Sequence, residues 1–225
     1  MLTVFYSVKG GSGVTVTAAV AADVMSRRRS TILVDLCGDQ PAALGLAEPS
    51  SEGVRDWLVK NPYRGREELE NLLVPVKKDL RLLPMGKAPY VTRGVPGFGY
   101  QTSRIAELAT ILADMDYDHE IVVDAGTAGV QDELVEALAS EGRSFLVIRP
   151  CYLALRKAVL AETKATGLIV LAETGRALSS DDVGHALNIP VIATVPVDPA
   201  IARSVDAGLL VHRSHHKVLE ESFSY

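Results

Sequence analysis

Apolar residues fall along this chain in short unbroken runs, separated by stretches with helical spacing. Leu2-Thr3-Val4-Phe5-Tyr6-Ser7 is a β-rich run that ends in a glycine-rich turn. From Val14 to about Arg28 the apolar positions Val14, Ala18, Val20, Ala21, Val24 and Met25 predict a helix. Thr31-Ile32-Leu33-Val34-Asp35 is a second buried strand. Strand, glycine loop, helix, strand is the opening βαβ unit of a doubly wound sheet.

Further on, Val54–Val59 and Glu67–Leu72 read as short helical pieces broken by Pro41, Pro49 and Pro62, and Asp79–Pro84 as a strand. Residues 85–100, rich in proline and glycine, predict an exposed loop. Regular alternation then resumes. Helices are expected over Thr102–Met115, Val130–Ser140, Leu153–Lys164 and Asp181–Leu187, and from about Pro199. Strands are expected over Glu120–Asp124, Phe145–Ile148, Leu168–Leu171 and Val191–Val195. The fold class is α/β: a doubly wound, mostly parallel sheet of seven or eight strands with helices on both faces, in one domain over residues 1–225.

Composition agrees with a covered parallel sheet. Of 225 residues, 48% are hydrophobic and only 5% aromatic, with Val, Leu and Ala abundant. The net charge of -5 argues against a uniformly basic surface, so neither DNA nor membrane contact draws support from it. Cys37 and Cys151 make neither a disulfide framework nor a metal-spaced cluster, and read as buried reduced thiols. No apolar run reaches the roughly 18 residues of a membrane span, and the first strand begins at residue 2. A cytoplasmic protein is expected.

The chemistry concentrates after the first strand. Lys9, Gly10, Gly11, Ser12, Gly13, Val14, Thr15 and Val16 form a glycine-rich loop opening onto a helix. Backbone N–H groups gathered in one concavity bind phosphate, glycines permit the close approach, and the helix N-terminus adds positive potential. Asp35 and Asp124 end buried strands at the carboxyl edge, where doubly wound folds place ligands.

This loop resembles the deviant Walker A motif, K-G-G-x-G-K-[ST]-[ST], of the ParA/MinD superfamily. Lys9, Gly10, Gly11, Gly13 and Thr15 match it in register. The stretch "ILVDLCGDQ" resembles the family's h-h-h-D-x-D strand, and "YDHEIVVDAG" its Walker B strand with Asp124 as the terminal acid. "LVIRPCYLALRKAV" and "IPVIATVPVDPAIARSVDAG" are similar to later strand-to-helix segments, so the resemblance spans residues 2 to about 208. It implies ATP and Mg²⁺ as ligands, with Thr15, Asp35 and Asp124 around the cation and Lys9 reaching the partner's nucleotide in a homodimer.

Three departures from the family pattern stand out. Val14 replaces the second lysine, and Val16 the second hydroxyl residue. Cys37 stands where the family has a second acid that positions the attacking water, with Asp39 two residues further on. Leu171-Ala172-Glu173-Thr174 lacks the asparagine that reads adenine. Loss of a phosphate clamp or of a water-positioning acid each costs ~3 kcal/mol or more of transition-state stabilisation. Hydrolysis is therefore expected to be absent or very slow, and nucleotide binding weak or absent.

The TadZ/CpaE pilus-positioning branch and related septum-site regulators resemble this loop more closely, although that branch normally carries a receiver-like domain with no counterpart in this sequence. The resemblance implies a role in placing a septum, a pilus or cargo through dimerisation and protein partners. Recruitment to a pole, septum or nucleoid would follow, and no small-molecule substrate. An alternative is a slow ATPase that substitutes Arg149, Lys87 or Arg93 for the missing lysine. A dethiobiotin-synthetase type of enzyme also needs that lysine, and the two cysteines do not match a nitrogenase-iron-protein pattern. Arg27-Arg28-Arg29 reads as a helix-end cluster suited to the dipole, and His212–Lys217 as a solvated face.

Overall fold

The computed structural model describes residues 1–47, 52–59, 65–88, 102–127 and 133–212. One eight-stranded sheet runs through the molecule in the order β3-β4-β2-β5-β1-β6-β7-β8. Its strands are β1 (Leu2–Ser7), β2 (Thr31–Asp35), β3 (Val74–Lys77), β4 (Leu80–Leu83), β5 (Glu120–Thr127), β6 (Arg143–Ile148), β7 (Gly167–Ala172) and β8 (Val191–Pro196). All neighbouring pairs are parallel except β3 with β4.

Nine helices lie among the described residues: α1 (Val14–Ser26), α2 (Gln40–Ala43), α3 (Val54–Val59), α4 (Arg66–Glu70), α5 (Thr102–Met115), α6 (Glu133–Ser140), α7 (Tyr152–Leu160), α8 (Ser180–Leu187) and α9 (Pro199–Asp206). The doubly wound α/β architecture expected from the periodicity is the one found. Among the described residues no helix is long and apolar enough to cross a membrane.

The continuous apolar runs are explained by burial on both faces. Along β1, Leu2, Val4 and Tyr6 join one core with α3, α5, α6, α7 and α8, while Phe5 joins a second core under α1. Helix α1 is buried over every residue but Thr15 and Val16. Its run of alanines lets it lie close against β1, β2 and β5. Buried Asp23 on α1 takes Arg27 at 2.9 Å and pairs with Lys77 of β3.

Strand β3 and the four-residue helix α2 are elements the sequence pattern does not show. Val74-Pro75-Val76-Lys77 is half exposed, holds a proline and lies at the sheet edge in a hairpin with β4. Helix α7 stops at Leu160 rather than Lys164, because Ala161 caps it and Glu162 turns to a positive φ of 46°. The first half of the expected 130–140 helix lies partly outside the described residues, as do residues 89–100 and 213–217. Arg29 of the Arg27–Arg29 cluster donates to the Asp116 carbonyl at 2.8 Å and pairs with Glu120 at 3.4 Å, so the cluster ties α1 to the α5–β5 turn.

The topology sets the site. The chain leaves β1 for β2 on one side of it, and after β5 builds β6, β7 and β8 on the other. The crevice at the carboxyl ends of β1 and β5 is thus the topological switch point, where open α/β sheets hold ligands.

Candidate functional site

The glycine loop begins where the pairing of β1 with β5 slips register between Phe5 and Ser7, which frees the backbone to turn. Ser7 and Ser12 both donate hydroxyl hydrogen bonds to the Lys9 carbonyl, at 2.8 and 2.6 Å, and close the loop on itself. Gly13 is the N-cap of α1 with φ of 85°, and a Cβ there would sit 2.5 Å from Leu171 Cδ1. Only glycine satisfies both conditions. No side chain caps α1, and its first turn carries no acid, so the amides at its start face the loop with no intrahelical acceptor. That arrangement suits a phosphate.

Two charges differ from such a site. Lys9 folds back, donating from Nζ to the Gly10 carbonyl at 3.3 Å. Val14 is 5% exposed and belongs to the apolar cluster beneath α1, with Phe5, Ala18 and Leu171. The position that in the motif carries a lysine therefore contributes to the core, and the glycine loop has no ammonium there.

Beside the loop lies an acidic cluster. Asp35 and Asp124 face each other across β2 and β5 as register partners, and both are fully buried. Asp35 accepts from the backbone amides of Cys37 (3.0 Å), Gly38 (2.7 Å) and Gln40 (3.2 Å) and so shapes the turn into α2. Asp124 accepts from the Gly126 amide at 3.0 Å, from Gln40 Nε2 at 2.8 Å and from the Thr15 hydroxyl. The Cys37 thiol lies 3.5 Å from Asp35 Oδ1, and donor atoms of Asp35, Cys37 and Asp124 all lie within 4.8 Å of one another.

The electrostatics follow from burial. It pushes the Asp35 carboxyl up to about 6; the Gly38, Cys37 and Gln40 amides oppose the rise and the Asp124 charge adds to it. Asp124 is raised too, by burial first, against hydrogen bonds from Gln40, Cys37, Gly126 and Thr15. Burial pushes the Cys37 thiol far up, and both carboxylates reinforce it. No basic side chain is among the hydrogen-bond partners found for these three groups in the described residues.

Gln40 is the residue that sequence reasoning missed. Its Nε2 also donates to the Thr15 carbonyl at 3.0 Å, linking the phosphate loop to Asp124 and α2. No motif flags it; it follows Asp39 as the start of a four-residue helix. Of the substitute cations considered, Arg149 is paired with Glu173, which Arg176 Nε also contacts at 2.6 Å. The Lys87 amide donates to Asp56 at 3.0 Å, and Arg93 lies outside the described residues. Glu173, within the stretch Leu171–Thr174 that lacks the family's adenine-reading asparagine, is a carboxylate engaged by two arginines.

A mostly parallel sheet with a glycine loop at its switch point defines the class: a P-loop NTPase-like fold. Within it, the chain has the ParA/MinD fold. It superimposes on a ParA family ATPase from Chlorobium tepidum with a TM-score of 0.76 and 18% identity, over 99% of this chain and 97% of that one. The septum site-determining protein MinD from Pyrococcus horikoshii, solved with Mg-ADP, matches at 0.71 and 16% identity over 98% and 93% of the two chains. The MinC:MinD cell division complex of Aquifex aeolicus matches at 0.72 and 19% identity over 99% and 93%. No protein-family model and no curated protein matches the sequence.

Proposed function

We propose that this chain is a ParA/MinD-like positioning protein whose nucleotide site hydrolyses ATP very slowly or not at all. It acts through dimerisation and protein partners in placing a septum, a pilus or cargo. The observation that carries the reading is Val14: the loop keeps its glycines, its closed backbone and its uncapped helix start, while the lysine position is part of the core. Cys37 in place of an acid removes a second element of hydrolysis.

The residues fit a weakly held Mg-nucleotide. Gly10 to Thr15 would cradle the phosphates, and Thr15, Asp35 and Asp124 would surround the cation, which supplies charge neutralisation at the phosphates. The partner-binding part of the reading draws on the fold neighbours, one of which was solved as a MinC:MinD complex.

Titrating Mg-ATP into wild type and Val14→Lys by calorimetry, with phosphate release measured alongside, tests the reading. Weak or no binding by wild type, tighter binding by the variant and no wild-type turnover are expected. Wild-type turnover at the rates of ordinary positioning ATPases would overturn it.

A further inference from the structure

Just past the last residues of β6 and β7, two arginines divide one carboxylate. Arg149 pairs through Nη1 with Glu173 Oε1, and Arg176 Nε donates to Glu173 Oε2 at 2.6 Å. The place of this cluster follows from strand alternation. Phe145 and Val147 on β6, and Ile169 and Leu171 on β7, pack in the core under α1, while Leu146, Ile148, Leu168 and Val170 belong to the other core. The same alternation puts Arg149 and Glu173 on the α1 side, and their contact agrees with it. Leu171 abuts Gly13, the N-cap of α1, so Glu173 follows just beyond the start of that helix. Strand β6 is also the parallel neighbour of β1, with Tyr6 opposite Leu146. Continuing that register brings Arg149 level with Lys9 in the glycine loop.

The pairing with Glu173 leaves a donor over. Arg149 Nε is buried and has no hydrogen-bond partner among the described residues. A buried N–H without an acceptor is costly, so this pose does not satisfy the guanidinium. Lys9 folds back on the Gly10 carbonyl, and Val14 lies in the core.

We infer that Arg149 is the movable cation of the glycine loop, held back by Glu173 until a polyphosphate chain draws it onto its oxygens. The inference rests on the reading that the loop holds phosphate. A guanidinium fork pairs with phosphate as it does with a carboxylate, so the move exchanges one charge-assisted pair for another. Arg176 stays on Glu173 and keeps that carboxylate compensated. Wild-type affinity is then low in part because a cation is detained beside the loop, not only because Val14 supplies none.

The test titrates magnesium tripolyphosphate, which carries phosphates and no base, into the full chain by calorimetry. The salt is about 0.15 M, where charges not in contact are largely screened. The four forms are wild type, Glu173→Gln, Arg149→Gln and the double variant. Glu173→Gln should tighten binding about 3- to 5-fold, the upper worth of a part-exposed ion pair. In the Arg149→Gln background the same change should gain nothing. An equal gain in both backgrounds overturns the proposal, because it reports only the removal of a negative charge near an anion. No tightening in Glu173→Gln overturns it as well, whether or not Arg149→Gln folds. Val14→Lys separates the two readings. If that variant binds tripolyphosphate while Glu173→Gln gains nothing, the loop holds phosphate and Arg149 has no part in it. If Val14→Lys is silent too, the reading of the loop falls with the proposal.

Discussion

Asp35 and Asp124 are register partners on adjacent parallel strands, both fully buried, and Gln40 and Cys37 each donate to both. Register partners on neighbouring parallel strands bring their side chains side by side, here at the last residue of β2 while β5 runs on to Thr127. The turn amides of Cys37 and Gly38 and the Gln40 amide partly offset the cost of that meeting.

That cost has a definite pH dependence in the metal-free protein. Asp35 is raised from 3.8 to about 6, so between those values the folded state holds a proton that the unfolded state has lost. Stability then falls as pH rises from about 4 to about 6 and stays flat above, by about 3 kcal/mol at most for this group. Urea denaturation in chelator, comparing wild type with Asp35→Asn across that window, should show the wild-type curve dropping relative to the variant. A relative rise would mean that the turn amides outweigh burial.

Val14→Lys should tighten Mg-ATP binding by about 10- to 150-fold, the value of a charge-assisted hydrogen bond of about 1.5–3 kcal/mol. The lysine stem can occupy the space of the valine while its ammonium rises to the loop. Calorimetric titration reads this directly, and unchanged affinity would show that the loop backbone does not hold phosphate.

Gly13→Ala meets both a positive φ and Leu171 Cδ1 at 2.5 Å. A loss of about 2–4 kcal/mol is expected, combining backbone strain with overpacking. Adding Leu171→Ala should relieve only the packing part. Thermal unfolding of the single and double variants separates the two contributions; full recovery in the double variant would exclude the backbone contribution.

Lys77 and Arg27 share the buried carboxylate of Asp23. Lys77→Met should cost about 1–2 kcal/mol because Arg27 remains. Lys77→Met with Arg27→Ala should cost more than the sum, about 3–5 kcal/mol, because the carboxylate is then buried alone. A double-mutant cycle by urea denaturation measures that excess, and strict additivity would show that Asp23 reaches water.

The α/β order was legible because apolar runs, glycine turns and helical spacing are local signals, and β1, α1, β2 and β5 lie where they predict. β3 was not, since a four-residue edge strand with Pro75 and an exposed face leaves no alternating pattern. The phosphate loop, Asp35 and Asp124 were nameable from the sequence as candidates, because their place at strand ends follows from chain order.

What chain order alone determined is the sequence of strands and helices and the glycine loop at the first turn. Only the tertiary structure decided that Val14 faces the core, that Cys37 lies with the two carboxylates, and that Gln40 ties Asp124 to the loop. Those facts depend on which strands become neighbours and in what register. Pairing β2 with β5 joins residues 35 and 124, a juxtaposition created by long-range hydrogen bonding and packing that no local pattern encodes.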